Sequence, residues 1–168
     1  MKSDKTQVLI ATKNRGKLKE MKRLLADLPV RLQSLNDFSG VVEAEETGAT
    51  FTENAVLKAR SYAMQTGLAS LADDSGLEVE ALGGAPGIFS ARWAGPAKDF
   101  SAAMRLIEEK LQRLGATAPE RRRAHFVCVL ALATPEGATE PFEGRVAGTL
   151  VWPPRGDLGF GYDPIFLP

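Results

Sequence analysis

Apolar positions along the chain alternate between two periods. "TQVLIAT" (residues 6–12) is a short β-prone run. "GKLKEMKRLLADL" after it sets Leu18, Met21, Leu24, Leu25 and Leu28 on one helical face, with basic and acidic residues opposite. Strand, polar loop "TKNRG" and helix are predicted in that order. In "TFTENAVLKARSYAMQTG", Thr50 and Glu53 have capping-box spacing and Gly67 stands where a helix would stop, so a second helix is predicted between them. "LASLA" then reads as a strand, "DDSG" as the turn that ends it, and "LEVEAL" as the next strand, followed by a rigid "GGAPG" turn into "IFSARWAG". A third helix, "DFSAAMRLIEEKLQRLG", spaces Phe100, Met104, Ile107, Leu111 and Leu114 by four and three and ends at Gly115. The remainder is predicted mostly β: "AHFVCVLALAT", a "PEGATE" connection, "PFEGRVAGTLVW", and the loop "PPRGDLGFGYDPIF". Early helices and a late meander predict an α/β fold with a mixed sheet covered by helices.

Composition narrows this picture without redirecting it. The chain has 168 residues, 44% hydrophobic and 25% charged, values ordinary for one globular domain with a sizeable core. No repeat, low-complexity tract or linker divides it. Lys plus Arg equal Asp plus Glu at 21 each, so no bulk charge draws it to nucleic acid or an anionic membrane, and any phosphate binding must be local. No apolar segment approaches a membrane span and the amino terminus lacks an apolar signal core, which reads as a cytoplasmic protein. The single Cys128, inside "HFVCVLALA", reads as a small core hydrophobe.

The chemistry is carried by polar groups placed between these runs. Lys13, Asn14, Arg15, Gly16 and Lys17 lead into a helix whose first amides are unpaired, a natural seat for phosphate. It is not a Walker A loop: the first glycine is missing, and Leu18 replaces the hydroxyl that would hold magnesium. A solvated basic loop is the plainer alternative, but cations at a helix amino terminus oppose the dipole unless an anion joins them. Asp73 and Asp74 are adjacent like charges at a predicted strand end, and with Glu43, Glu45 and Glu46 they offer oxygen ligands for a hard cation such as magnesium. Taken alone, each acidic group also fits a solvated turn or loop. His125 reads as a satisfied core residue and not a ligand, and Arg121, Arg122 and Arg123 as a solvated turn. "LGFGYDP" gathers Phe160, Tyr162 and Asp163, an aromatic face for a base and a carboxylate for its edge, although such aromatics also fit a core.

Four stretches together, "ATKNRGKLKE", "EAEETGATFTENAVLKA", "LADDSGLEVEALGGAPGIFSARWAG" and "GFGYDPIF", resemble the inosine/xanthosine triphosphate pyrophosphatases, which remove non-standard purine nucleotides such as dITP and XTP. The resemblance runs from Ile10 to Phe166. It implies an elongated α/β fold with a central mixed β-sheet flanked by helices, two lobes with a nucleotide cleft between them, and a homodimer. It implies magnesium-dependent hydrolysis of purine nucleoside triphosphates to the monophosphate and pyrophosphate. The triphosphate falls to Thr12, Lys13, Asn14, Arg15, Gly16 and Lys17. Magnesium falls to Glu45 and Asp74 with Asp73 in support, and the catalytic carboxylate is Asp74. Ser75 and Lys58 are further nucleotide contacts, and Phe160, Gly161, Tyr162 and Asp163 hold the base.

Two departures from the family pattern stand out. Lys13 occupies a position that is often glycine. Relatives also continue past a point equivalent to Pro168 with a lysine and a Ser-His-Arg motif that helps hold the purine. Either these residues, 1–168, are a single domain lacking its C-terminal segment, or this variant lacks the usual base clamp; ending on an apolar β-prone run favours the first. The alternatives in function are a related house-cleaning pyrophosphatase with another base preference and a non-catalytic nucleotide-binding sensor.

Overall fold

The computed structural model describes residues 5–168. Its one sheet has six strands in the order β2-β1-β3-β4-β5-β6. They are β1 (Thr6–Ile10), β2 (Val30–Ser34), β3 (Ala69–Val79), β4 (Arg123–Ala133), β5 (Thr139–Leu150) and β6 (Phe166–Leu167). The helices are α1 (Arg15–Leu24), α2 (Phe51–Thr66), the short α3 (Ser90–Trp93) and α4 (Phe100–Arg113). The sheet is mixed, as the pattern predicts: β1 pairs parallel with β2 and β3, whereas β5 and β6 are antiparallel. The chain divides into two compact units, the first comprising residues up to Asp74 and Val129–Glu143, the second Ser75–Cys128 and Gly144–Pro168.

In the first unit the chain leaves β1 through α1 to reach β2 on one side, then returns through α2 to β3 on the other. Right-handed crossovers in opposite directions put α1 and α2 on opposite faces of these parallel strands. The strand order therefore reverses between β1 and β3, and parallel sheets bind ligands beyond the carboxyl ends of strands at such a point. Register places the chemistry there. Pairing of β1 with β3 ends at Ile10↔Leu71, so Thr12 and its loop lie past the end of β1 beside Asp73 and Asp74.

The helix α2 starts where its capping-box spacing predicts, and α1 begins at Arg15, inside the predicted loop. Asn14 caps α1 by accepting from Lys17 N at 3.1 Å, and Thr50 caps α2 by accepting from Glu53 N at 3.1 Å. Gly67 closes α2 in the left-handed region at φ 71°. The apolar face of α1 is less used than its spacing predicts: Met21 is buried, but Leu24 is 68% and Leu28 50% exposed.

The predicted turn at "DDSG" is not a turn. β3 runs unbroken from Ala69 to Val79 through both aspartates. Past the end of β1 it still has β4 as its other neighbour, and that tertiary pairing overrides the poor strand propensity of Asp and Gly.

In the second unit, Met104, Ile107 and Leu111 of α4 pack with Leu77, Val79, Leu150 and Ile165 in one buried cluster. Asp99 caps α4 by accepting from Ala102 N at 3.0 Å. Arg122 corrects the prediction of a solvated arginine turn: it is 6% exposed and forms an ion pair with Glu108. It also donates to the carbonyls of Leu150 at 3.0 Å and Ala116 at 3.2 Å. Burial alone would raise the Glu108 pKa, but hydrogen bonds from Arg122 and Gln112 hold it below the ordinary range. Arg121 stays exposed and donates to the Gly115 carbonyl at 3.2 Å, beyond the end of α4.

Cys128 is also corrected. It is exposed, while Val127, Val129, Ala131 and Ala133 are buried. An apolar run reads the same whether one or both faces of a strand are covered, and here the pleat buries one set. His125 is half-buried with Nδ1 3.9 Å from Glu80 Oε1, so it sits at the margin of the core.

Candidate active site

The loop after β1 is shaped by its own side chains. Asn14 N donates to Thr12 Oγ1 at 3.1 Å, and the Asn14 side chain then caps the helix, so the segment from Thr12 to Lys17 turns tightly onto α1. The other amides of a first helical turn have no partner within the helix and carry its positive pole. Lys13 and Arg15 are exposed at this pole. Lys13 pairs with Glu43 at 2.9 Å, which raises its pKa.

Asp73 and Asp74 are 4% and 6% exposed. Successive residues of a strand point to opposite faces, and α1 and α2 lie on opposite faces, so each aspartate meets its own lysine. Lys17 of α1 donates to Asp73 Oδ2 at 2.6 Å. Lys58 of α2 lies 3.7 Å from Asp74 Oδ1 and donates to Glu46 Oε1 at 2.8 Å. Strand alternation thus separates two like charges that a turn would have left side by side. Burial tends to lower the Lys58 pKa, but Glu46, Asp74 and Asp73 together hold it above the ordinary lysine value.

Asp74 is the less compensated of the pair. Its Oδ2 is buried with no hydrogen-bond partner. Burial pushes its pKa from 3.8 up to about 6; Lys58 opposes that rise, Glu46 adds to it, and Asn54 and Lys17 oppose it. An orphaned, buried carboxylate oxygen is costly in water-free surroundings, and a hard cation or a proton relieves it. The residues present therefore fit a magnesium ion at Asp74. Among the described residues, no group of three or more His, Cys, Asp or Glu is gathered closely enough to form a cage by itself. Glu45 is exposed, whereas its neighbour Glu46 reaches Lys58.

Ser75 follows Asp74 along β3, at the start of the second unit. The Phe160–Asp163 segment also belongs to that unit. Phe160 is 47% exposed, and its amide donates to Asp163 Oδ2 at 2.9 Å. Gly159 and Gly161 take φ 84° and 65°, left-handed conformations that make this tight turn possible. Tyr162 is 3% exposed; its hydroxyl donates to the Ser90 carbonyl at 2.6 Å and its ring packs edge-on against Phe100. Burial pushes its pKa up to about 12. Tyr162 is thus an anchor that leaves Phe160 at the surface.

One residue beside the site was passed over in the sequence: Asn54, 1% exposed on α2, which accepts from Gly48 N at 2.7 Å. Its signal was a polar side chain on the inward face of a helix, four residues before Lys58.

The chain matches the family model described as "Ham1 family" over residues 8–168. It is 57% identical over 162 residues to a protein of Rhodopseudomonas palustris named dITP/XTP pyrophosphatase, covering 96% of this chain and 77% of that protein. A HAM1 protein from Coxiella burnetii superposes with a TM-score of 0.86 at 43% identity, over 96% of this chain and 81% of that one. A structure from Mycobacterium abscessus titled nucleoside-triphosphatase / dITP/XTP pyrophosphatase gives a TM-score of 0.81 at 47% identity, over 97% and 84%. Strand order, helix starts and lysine-paired aspartates thus occur in a chain that, by this extent of matching, belongs to the Ham1 family.

Proposed function

We propose that this chain is a nucleoside triphosphate pyrophosphatase acting on non-standard purine nucleotides, dITP, ITP and XTP. The observation that carries the chemistry is the buried Asp74 carboxylate with its unpartnered Oδ2, in the same compact unit as the capped amino terminus of α1. The substrate class is supported by the names of the relatives in Rhodopseudomonas palustris and Mycobacterium abscessus.

Thr12, Lys13, Asn14, Arg15, Gly16 and Lys17 hold the triphosphate by loop amides, the helix pole and ammonium charge. Asp74 accepts a proton from water as the water oxygen attacks the α-phosphorus. The bond from that phosphorus to the α,β-bridging oxygen breaks, so pyrophosphate leaves and the nucleoside monophosphate remains. A carboxylate whose pKa lies near 6 is a stronger base than an ordinary aspartate and is still ionised at neutral pH. Lys17 and Lys58 stabilise charge on the phosphates.

Magnesium is assigned to Asp74, with Asp73 in support through the Lys17 ammonium it holds, and with Glu45 from the sequence pattern or Glu46 from its place beside Lys58 as the loop ligand. When bound it supplies charge neutralisation on the phosphate oxygens and a lowered pKa for water. Ser75 contacts the nucleotide. Phe160, Gly161, Tyr162 and Asp163 take the base, chiefly through the exposed Phe160 ring. The reading includes a homodimer and a cytoplasmic location. No helix among the described residues is long and apolar enough to cross a membrane.

The test is pyrophosphate release from dITP, XTP, dGTP and ATP, with and without magnesium, by the wild type and Asp74→Asn. Magnesium-dependent release favouring dITP and XTP, abolished by the substitution, is expected. Nucleotide binding without release from any of the four would overturn the enzymatic reading in favour of a sensor.

A further inference from the structure

The acidic loop carrying Glu43, Glu45 and Glu46 meets α2 through a short set of side-chain contacts. Gly48 N donates to Asn54 Oδ1 at 2.7 Å, and Ala49 N to Glu53 Oε2 at 2.7 Å. A Cβ on Gly48 would stand 2.7 Å from Asn54 Oδ1 and 2.7 Å from Glu53 Cβ, so the loop backbone lies directly on the helix with no room for a side chain. Two residues before Gly48, Glu46 takes the Lys58 ammonium, and Lys58 sits one turn after Asn54 on the same helix. Lys58 in turn lies 3.7 Å from Asp74 Oδ1.

Helix capping does not account for this asparagine. Thr50 already caps α2, and Glu53 already takes the Ala49 amide. Packing does not account for it either, because Asn is a poor residue for a helix interior and burying an amide costs free energy unless its polar atoms are used. What uses it is the Gly48 amide, 2.7 Å from its Oδ1.

We infer that Asn54 is a positioning residue of the hydrolytic site, clasping Gly48 so that the acidic loop holds Glu46 against Lys58 in one array with Asp74. The inference rests on the function proposed above and adds a residue to it. Gln65 and Tyr62 of α2 still hold the start of the loop at Val42 and Ala44, so removing the clasp loosens the stretch from Glu46 to Gly48, and Glu46 no longer holds the Lys58 ammonium in place. The loss falls on turnover more than on nucleotide binding, since the phosphate loop after β1 does not depend on Asn54.

The experiment combines amide hydrogen exchange at Gly48 with steady-state kinetics on dITP and with binding of Mn²⁺ alone, for the wild type, Asn54→Ala, Asn54→Asp and Gly48→Ala. Asn54→Ala should expose the Gly48 amide to fast exchange and cut kcat by about 10–100-fold with little change in KM, the range expected for loss of an outer-shell partner. Asn54→Asp keeps the acceptor and should keep Gly48 protected, which separates the clasp from general loss of fold. Gly48→Ala crowds the same contact from the other side and should lower kcat with Asn54 intact, which preserves the test if Asn54→Ala does not fold. A Gly48 amide as protected in Asn54→Ala as in the wild type, or an unchanged kcat in that variant, would overturn the inference. If the wild type releases no pyrophosphate, the functional reading fails by itself. Gly48 exchange and Mn²⁺ affinity then decide: fast exchange with weakened Mn²⁺ binding in Asn54→Ala supports the clasp, and no change in either refutes it.

Discussion

Asp74→Asn is expected to stabilise the protein at neutral pH while removing its activity. In the folded chain, burial, only partly opposed by Lys58, raises the Asp74 pKa from 3.8 to about 6. A group whose folded pKa is raised binds its proton more tightly when folded, so its stabilising contribution is complete below pH 3.8 and is lost as pH rises through about 6. At about 1.36 kcal/mol per pKa unit, a shift of roughly two units amounts to about 3 kcal/mol lost by pH 7 to 8. Asparagine has the shape of the protonated acid and no charge to bury. The variant should therefore match the wild type near pH 4 and exceed it by up to about 3 kcal/mol near pH 8, or roughly 6–12 °C in Tm for a chain of this size. The assay is urea or thermal unfolding across pH 4 to 8 in EDTA, repeated with magnesium. Magnesium should raise the stability of the wild type toward that of the variant and leave the variant unmoved, because a bound cation acts by mass action on the folded state. A variant that is no more stable at pH 8, or whose advantage is the same at every pH, would refute the argument that Asp74 is an uncompensated buried charge.

Further expectations follow from other contacts. Glu108→Ala and Arg122→Ala should each lose about 3–5 kcal/mol in urea unfolding, since each leaves a buried charge alone; replacing both by methionine should lose much less. Lys13→Ala, which breaks an exposed pair with Glu43, should leave urea unfolding unchanged; its effect should appear as a higher KM for dITP if the loop holds phosphate. Gly159→Ala should disturb the Phe160 turn, because a Cβ there would fall 2.2 Å from Asp163 Oδ2 at a φ of 84°. Weaker dITP binding with unchanged unfolding of α4, followed by hydrogen exchange, is the expected signature.

Much of this molecule was written in local pattern. The helix start at Thr50, the stop at Gly67 and the buried Met104, Ile107 and Leu111 of α4 depend on side chains within a few residues of one another, and they stand where their spacing puts them, whereas Leu114 at the end of that stripe is 50% exposed. The basic loop after β1 and the paired aspartates were also visible, because unusual charge in an otherwise ordinary composition needs a reason. Contacts between distant segments were not visible. That Asp73 and Asp74 lie inside one continuous strand depends on β4 as a neighbour more than 40 residues further along. That they face different lysines depends on α1 and α2 crossing to opposite sides of the sheet. Whether Cys128 is covered, whether Arg122 is solvated or paired with Glu108, and whether Leu24 finds a core are likewise questions of what packs on a face. Residue spacing gives a face its chemistry, and only the fold supplies its neighbour.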